Sequence, residues 1–262
     1  MMIACPGQDG TPTAIARAAV TAMQTRMPTL LAVSNFTHLG TTNGPFASIV
    51  DAAKADLGAE RVALCEAATE WDHRNVALAW MRAHWPDVER IWIVDTDEAY
   101  TLSDFVRLKN AVEATDAGSY YVKRLAYWKG LDWRIDPFEP TPALVAIDPK
   151  VVPSFHWIRT PTVVGSKRPA VLVGGPLQHH ATAVRSDEEM KTKIAAFGHG
   201  HEIAKDWFER KWLGWTPETL DLHPTHPDCW RRAVPASKED LPEALQPLYD
   251  QFQTPAKLIA LP

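Results

Sequence analysis

The 262-residue sequence has little from which to build a disulfide scaffold, a membrane span or a polyanion-binding surface. Its three cysteines, Cys5, Cys65 and Cys229, are far apart and odd in number. They form neither a CxxC zinc pattern nor a disulfide framework, so a reducing cytoplasm is the expected setting. No apolar run approaches the roughly 20 residues that cross a bilayer, so no transmembrane segment is expected. The N-terminus lacks a basic stretch followed by an apolar one, so no signal peptide is expected. Positive charge is in short supply: 27 Lys and Arg stand against 32 Asp and Glu, a net charge of -5. That balance removes any global electrostatic reason to bind nucleic acid or an anionic membrane. Internal repeats and low-complexity tracts are missing too, which excludes a repeat array.

What remains is the composition of an ordinary globular protein, 46% hydrophobic and 23% charged. The length suits one large domain or two intimately packed halves with a substantial core. Two biases stand out. There are eleven tryptophans, and six of the ten histidines fall between His179 and His226. Indoles fill cores, but their exposed faces also suit sugar rings and nucleobases.

The first half alternates strand and helix patterns. Short apolar runs, "MMIACPG", "TLLAVSN", "RVALCEA" and "RIWIVD", read as four strands. Between them lie helical segments: "TPTAIARAAVTAMQ", "GPFASIVDAAKADLG" closed by Gly58, and "DHRNVALAWMRAHW" ending before Pro86. A Thr101-x-x-Asp104 capping box opens the next helix. This alternation predicts a parallel sheet covered by helices. From about residue 118 to 175 the pattern becomes antiparallel or mixed, with strands in "SYYVKRLAYW", "ALVAID" and "AVLVGG". Ser186 and Glu189 form a complete capping box for a helix, and "HEIAKDWFERKWLGW" predicts a further amphipathic helix. The proline-rich tail excludes long helices, apart from a short one near Glu239–Tyr249.

The chemistry concentrates in "IWIVDTDEAYT", where Asp95, Thr96, Asp97 and Glu98 follow a buried-looking strand. In open α/β sheets ligands bind beyond the carboxyl ends of the strands. Two carboxylates at i, i+2 there suit Mg²⁺ or Mn²⁺, which bridges phosphate oxygens. The alternative is that Asp97 or Glu98 caps the turn before the helix at Thr101. About twenty residues earlier, Arg74 and Asn75 open a helix. The Arg74 guanidinium can reach a diphosphate or lock the Asp95 carboxylate.

Taken together, the strand ending in Pro6, "LGTTNGP", "ADLGAERVALCEAATEWDHRNVALAW" and "IWIVDTDEAYT" resemble the nucleotide-binding half of GT-A-fold glycosyltransferases, particularly the family-2 group. The resemblance covers residues 1–115. It implies an α/β fold with a Rossmann-like mixed sheet flanked by helices. A nucleotide-sugar-binding half would span 1–115, an acceptor-side mixed sheet 116–185, and a helical, proline-rich extension 186–262, packed as one compact unit. It further implies that Pro6, Gln8 and Asp9 face the nucleobase, that Asp95 contacts ribose or sugar, and that Asp97 ligates the metal holding the diphosphate. Asn43, Arg74 and Thr96 complete the implied donor-binding set. The sequence departs from the family where an acidic turn residue is usual and Asn43 stands instead, and where an acid often ends the second strand and Ser34–Asn35 stand instead.

In metal-dependent relatives a late strand carries a histidine to the same ion, and "LQHHATAV" falls at that point. His180 is the preferred ligand alongside Asp95 and Asp97, with His179 on the opposite face of an extended segment. His199, His201, His223 and His226 are further candidates, though none forms an H-E-x-x-H pattern. An inverting transfer also needs a base near the acceptor nucleophile. Asp187 and Glu188 are candidates, although at the start of a capped helix they also have a structural role. The middle region adds Asp132, Asp136, Glu139, Asp148 and His156. His156, in "FHWIR", lies where relatives meet the acceptor, and Trp157 would supply a platform. The expected catalytic residues are therefore His156 and Asp187.

The resulting expectation is a cytoplasmic, metal-dependent glycosyltransferase. It uses a nucleotide-diphosphate sugar, a UDP-sugar first among these, and transfers with inversion to a glycan, protein, lipid or modified nucleic acid. A nucleotidyltransferase or hydrolase on the same fold, or a non-catalytic sugar- or nucleotide-binding module, are the alternatives.

Overall fold

The computed structural model describes residues 2–5, 29–34, 51, 54–55, 62–65, 69–157, 160–165, 169–195 and 200–255. The four early strands are β1 (Met2–Cys5), β2 (Thr29–Ser34), β3 (Val62–Cys65) and β4 (Ile91–Asp95). They pair in parallel in the order β3-β2-β1-β4. Ile91 to Val94 are all buried, because both faces of this central strand are covered. Side chains alternate across a strand, so Ile91 and Ile93 point one way and Trp92 and Val94 the other. The first pair packs with Ala77, Leu78 and Met81 of α1 (Glu70–His84). The second pair packs with Phe105, Leu108 and Val112 of α2 (Leu102–Ala114).

Local chemistry explains where these helices start. The Thr69 hydroxyl accepts the Asp72 amide at 3.2 Å, and Thr101 accepts the Asp104 amide at 3.0 Å. Helix α1 stops at Trp85, ahead of Pro86. The Ser186–Glu189 box that opens α3 (Asp187–Ala195) is present in both directions, at 2.7 and 3.2 Å.

Beyond α2 the sheet becomes mixed. Strand β6 (Ser119–Trp128) runs antiparallel to β8 (Glu139–Ile147), and β8 runs antiparallel to β4. Strand β7 (Trp133–Asp136) joins β6 to β12 (Arg232–Pro235), so part of the C-terminal segment enters the sheet. The long β11 (Val171–Ala183) lies parallel to β6 and antiparallel to the two-residue β5 (Glu98–Ala99). Strands β9 (Ser154–Trp157) and β10 (Thr160–Thr162) form a separate ribbon. The architecture is thus α/β with a mixed sheet and flanking helices, compatible with a Rossmann-like fold.

Two expectations fail in the C-terminal segment. The single amphipathic helix predicted over 201–215 is a 3₁₀ turn at Gly200–Glu202 and a π-helical turn at Phe208–Leu213. The Gly214 amide reaches the Glu209 carbonyl at 2.9 Å, an i→i+5 bond. That wide turn sets Trp207 and Trp212, five residues apart, on one wall beside Trp128, at centroid distances of 6.1 and 5.1 Å. The short helix expected near Glu239–Tyr249 is two 3₁₀ turns, Lys238–Asp240 and Gln246–Leu248. Pro242 and Pro247 lack the amide hydrogens that an α-helix needs there. Tryptophan serves chiefly as core: Trp128, Trp133, Trp207, Trp212, Trp215 and Trp230 pack into one buried cluster. Among the described residues, no helix is long and apolar enough to cross a membrane.

Candidate functional site

Strand β4 ends at Asp95, and the chain turns through Thr96 and Asp97 before pairing back as β5. The turn is tied at both ends. The Asp95 amide donates to the Glu98 carboxylate at 2.9 Å, and the Asp97 carbonyl accepts the Ala181 amide at 2.7 Å. The start of α1 lies over this strand end. Arg74 is buried there and donates from Nη2 to both Asp95 oxygens, at 3.1 and 3.3 Å. Of the two roles expected for Arg74, the structure realises the lock on Asp95. Its neighbour Asn75 exchanges two hydrogen bonds with the Phe155 backbone, at 2.9 and 2.7 Å, and so fastens β9 to α1.

Glu98 carries more than the sequence suggested. It is 0% exposed. Besides the Asp95 amide it accepts Gln178 Nε2 at 3.0 Å and Arg124 Nη2 at 3.3 Å. Gln178 also donates to the Tyr100 hydroxyl at 2.8 Å and accepts Arg124 Nε at 3.1 Å. Arg124 further pairs with Glu139 at 3.5 Å, its cross-strand neighbour on β8. A buried carboxylate is tolerated only when paired and hydrogen-bonded, and this network supplies both. No linear motif announces Glu98, Arg124, Gln178 and Glu139, because they come from four strands.

Successive residues of β11 face opposite ways. His179 is buried against the Tyr127 hydroxyl, 2.7 Å from Nδ1. His180 turns to the carboxylates, with Nε2 3.6 Å from Asp97 and Nδ1 3.8 Å from Glu139. Both separations exceed a hydrogen bond. Burial works against ionisation of Glu139. His180, Arg124 and the Trp230 indole outweigh it and hold the carboxyl down at about 2. Asp95, Asp97, Glu98 and Glu139 therefore set four carboxylates around two guanidiniums, Arg74 and Arg124. Carboxylate oxygens are the donor type that a divalent cation takes. Among the described residues, however, no three His, Cys, Asp or Glu side chains converge as a ready-made metal cage.

The structure thus brings Arg74, Asp95, Asp97 and His180 together. The candidate bases have other surroundings. His156 is exposed on the β9–β10 ribbon, its Nδ1 3.1 Å from the Thr162 hydroxyl. Asp187, the first residue of α3, accepts the Trp212 indole at 2.9 Å and lies 3.6 Å from Lys129 Nζ. Exposed His201 sits 3.5 Å from Glu202. Thr96 is buried within the turn. Pro6, Gln8, Asp9, Asn35, Asn43 and His199, and the Trp157 side chain, lie outside the described residues.

Two histidines are kept neutral. Burial pushes His179 down to about 4, although Asp104, Asp240 and Glu243 pull the other way. Burial also pushes His223 down to about 4, and its Nδ1 accepts the His226 amide at 3.0 Å. A base with a lowered folded pKa takes up protons more readily when unfolded, so it destabilises the fold as pH falls from about 6.5 towards 4. His179 alone is expected to remove about 3 kcal/mol over that interval. Urea unfolding at pH 7.5 and pH 4.5 tests this. The loss should shrink in a His179→Gln variant, and an unchanged loss there refutes the assignment.

No protein-family model matches the chain, and no curated protein matches it. Solved structures do. A structure of S. aureus TarS residues 1–349 has 10% identity and a TM-score of 0.37, covering 81% of this chain and 70% of that one. HddC from Yersinia pseudotuberculosis complexed with GMP-PN has 7% identity and a TM-score of 0.37, covering 74% and 98%. A longer TarS structure has 14% identity and a TM-score of 0.36, covering 81% and 42%. Likeness at this level does not bear on activity.

Proposed function

We propose that the chain is a GT-A-type glycosyltransferase that moves a sugar from a nucleotide-diphosphate donor, a UDP-sugar first among candidates, to an acceptor hydroxyl with inversion. The observation that carries this reading is the Asp95–Glu98 turn at the carboxyl end of a buried parallel strand, with His180 3.6 Å from Asp97. Asp97 and His180, with Asp95 beside them, would hold Mg²⁺ or Mn²⁺, whose chemistry there is to neutralise the leaving diphosphate. A site of few protein ligands suits that task, because phosphate oxygens and water fill the remaining positions. In this reading Arg74 holds Asp95 in place, and Glu98 with Arg124 holds the turn. The base that takes the acceptor proton is assigned to His156 or Asp187, each with its own neighbours described above. The nucleotide half is taken as 1–115, the acceptor side as 116–185 and the extension as 186–262.

A thermal-shift panel of nucleotide sugars and nucleoside triphosphates, with and without Mn²⁺, tests the proposal. One nucleotide sugar should raise the Tm only with metal present, by the equivalent of about 3 kcal/mol at a hundredfold excess over Kd. Stabilisation by triphosphates alone would point to nucleotidyl transfer. No shift with any donor would remove the reading.

A further inference from the structure

A cleft of about 190 Å³ lies on the Glu139 side of the His180 ring. Strand β6 contributes Trp128, β8 contributes Glu139, and the C-terminal segment contributes Trp207 and Trp230. Four buried side-chain polar atoms of residues lining this cleft lack a hydrogen-bond partner among the described residues. They are Trp128 Nε1, Glu139 Oε2, His180 Nδ1 and Trp230 Nε1; the last two face the Glu139 carboxylate, His180 Nδ1 at 3.8 Å, without closing to a hydrogen bond. A buried polar group left unsatisfied is costly, so four in one place call for a partner from outside the chain.

The chemistry of those atoms restricts the partner. Indole N–H groups only donate, and an ionised carboxylate only accepts. A phosphate or carboxylate ligand would satisfy the indoles and be repelled by Glu139, and the two cations of the lining, Arg124 and Lys193, are already engaged, by Glu98 and Gln178 and by the Thr182 hydroxyl. An amine would satisfy Glu139 and leave the indoles bare. Hydroxyl groups donate and accept, and several on one ring answer all four atoms. Size restricts it further. A cavity of about 150 Å³ accommodates benzene, so this cleft has room for one substituted six-membered ring. Trp207, Met190 and Ile194 add an apolar wall; the Trp207 N–H is already used by the Leu222 carbonyl at 2.9 Å. Such a wall matches the C–H face of a sugar.

We propose that this cleft binds a single uncharged pyranose ring, its hydroxyls bonded to the Glu139 carboxylate and to the Trp128 and Trp230 indole N–H groups. The inference depends on the glycosyltransferase reading only for the origin of the ring, which is either the acceptor's terminal sugar or the sugar carried by the nucleotide.

The test follows the eleven indole N–H signals of the full chain by ¹H–¹⁵N spectroscopy. Trp230→Phe keeps an aromatic wall and identifies one signal by its loss. The probes are methyl glucoside, methyl galactoside and methyl mannoside, the matching UDP-sugars with Mn²⁺, and cyclohexanol as a ring with one hydroxyl. The Trp230 signal and one further cleft indole should move with a sugar and stay put with cyclohexanol. Movement with a free glycoside assigns the ring to the acceptor, and movement only with a UDP-sugar assigns it to the donor. Glu139→Gln should weaken that binding about tenfold, the loss of one charged hydrogen bond, while the other indole signals keep their positions. If no sugar moves the cleft indoles, or cyclohexanol moves them equally, the cleft holds only water and the proposal falls. Glycoside binding without nucleotide-sugar binding would sink the transferase reading and leave this site standing. The reverse result would sink this site alone.

Discussion

Glu98→Ala is expected to destabilise the fold by about 3–5 kcal/mol, which for a chain of this size lowers the Tm by roughly 10 °C. Glu98 is fully buried and is the shared acceptor for the Asp95 amide, Gln178 and Arg124. Alanine would leave those donors without their carboxylate, with only Glu139 left to balance Arg124 at 3.5 Å. Glu98→Gln keeps the shape and one acceptor oxygen, so it should cost less than alanine. Calorimetry on both variants decides the matter, and a loss below about 1 kcal/mol for alanine would show that the network is not a support. The same substitution should loosen the Asp95–Asp97 turn, because the bond from the Asp95 amide to Glu98 helps to close it.

Asp97→Ala should leave the Tm within a few degrees and reduce sugar transfer on the order of a thousandfold or more, since the electrostatic stabilisation of a leaving diphosphate is a large part of such a barrier. Asp97→Asn isolates the charge from the shape and should lose nearly as much. In both variants the Mn²⁺-dependent part of donor stabilisation should vanish while any metal-independent part persists. Near-normal kcat/KM in a folded Asp97→Ala protein would end the case for this carboxylate.

The local elements were largely legible. "RIWIVD" is a buried apolar run, and a strand buried on both faces needs no alternation to be recognised. Thr101, Ser186 and Glu189 cap helices as their spacing foretold, because capping is chemistry between residues three apart. The "FERKW" segment was misread. Helical periodicity describes its apolar spacing adequately, and only packing of Trp207 and Trp212 against Trp128 selects the π-helical turn. The histidine pair could be sorted in advance, since strand alternation sends His179 and His180 to opposite sides. The partners each would meet could not. Tyr127 is 52 residues from His179, and Asp97 is drawn to His180 by the antiparallel pairing of β5 with β11.

By itself, then, the sequence determined the four early strands, the helices capped at Thr101 and Ser186 and the acidic turn after Ile91–Val94, because those depend on neighbours within a few positions. The tertiary structure decided what the acids do. Arg74 claims Asp95, Glu98 is buried as a support, and the Asp97 carboxylate lies 3.6 Å from His180 Nε2. It also turned most of the tryptophans into core and left unsatisfied indoles lining one cleft. Pairing of this kind joins residues 80 or more positions apart, and its register is set by which faces bury together rather than by any local pattern.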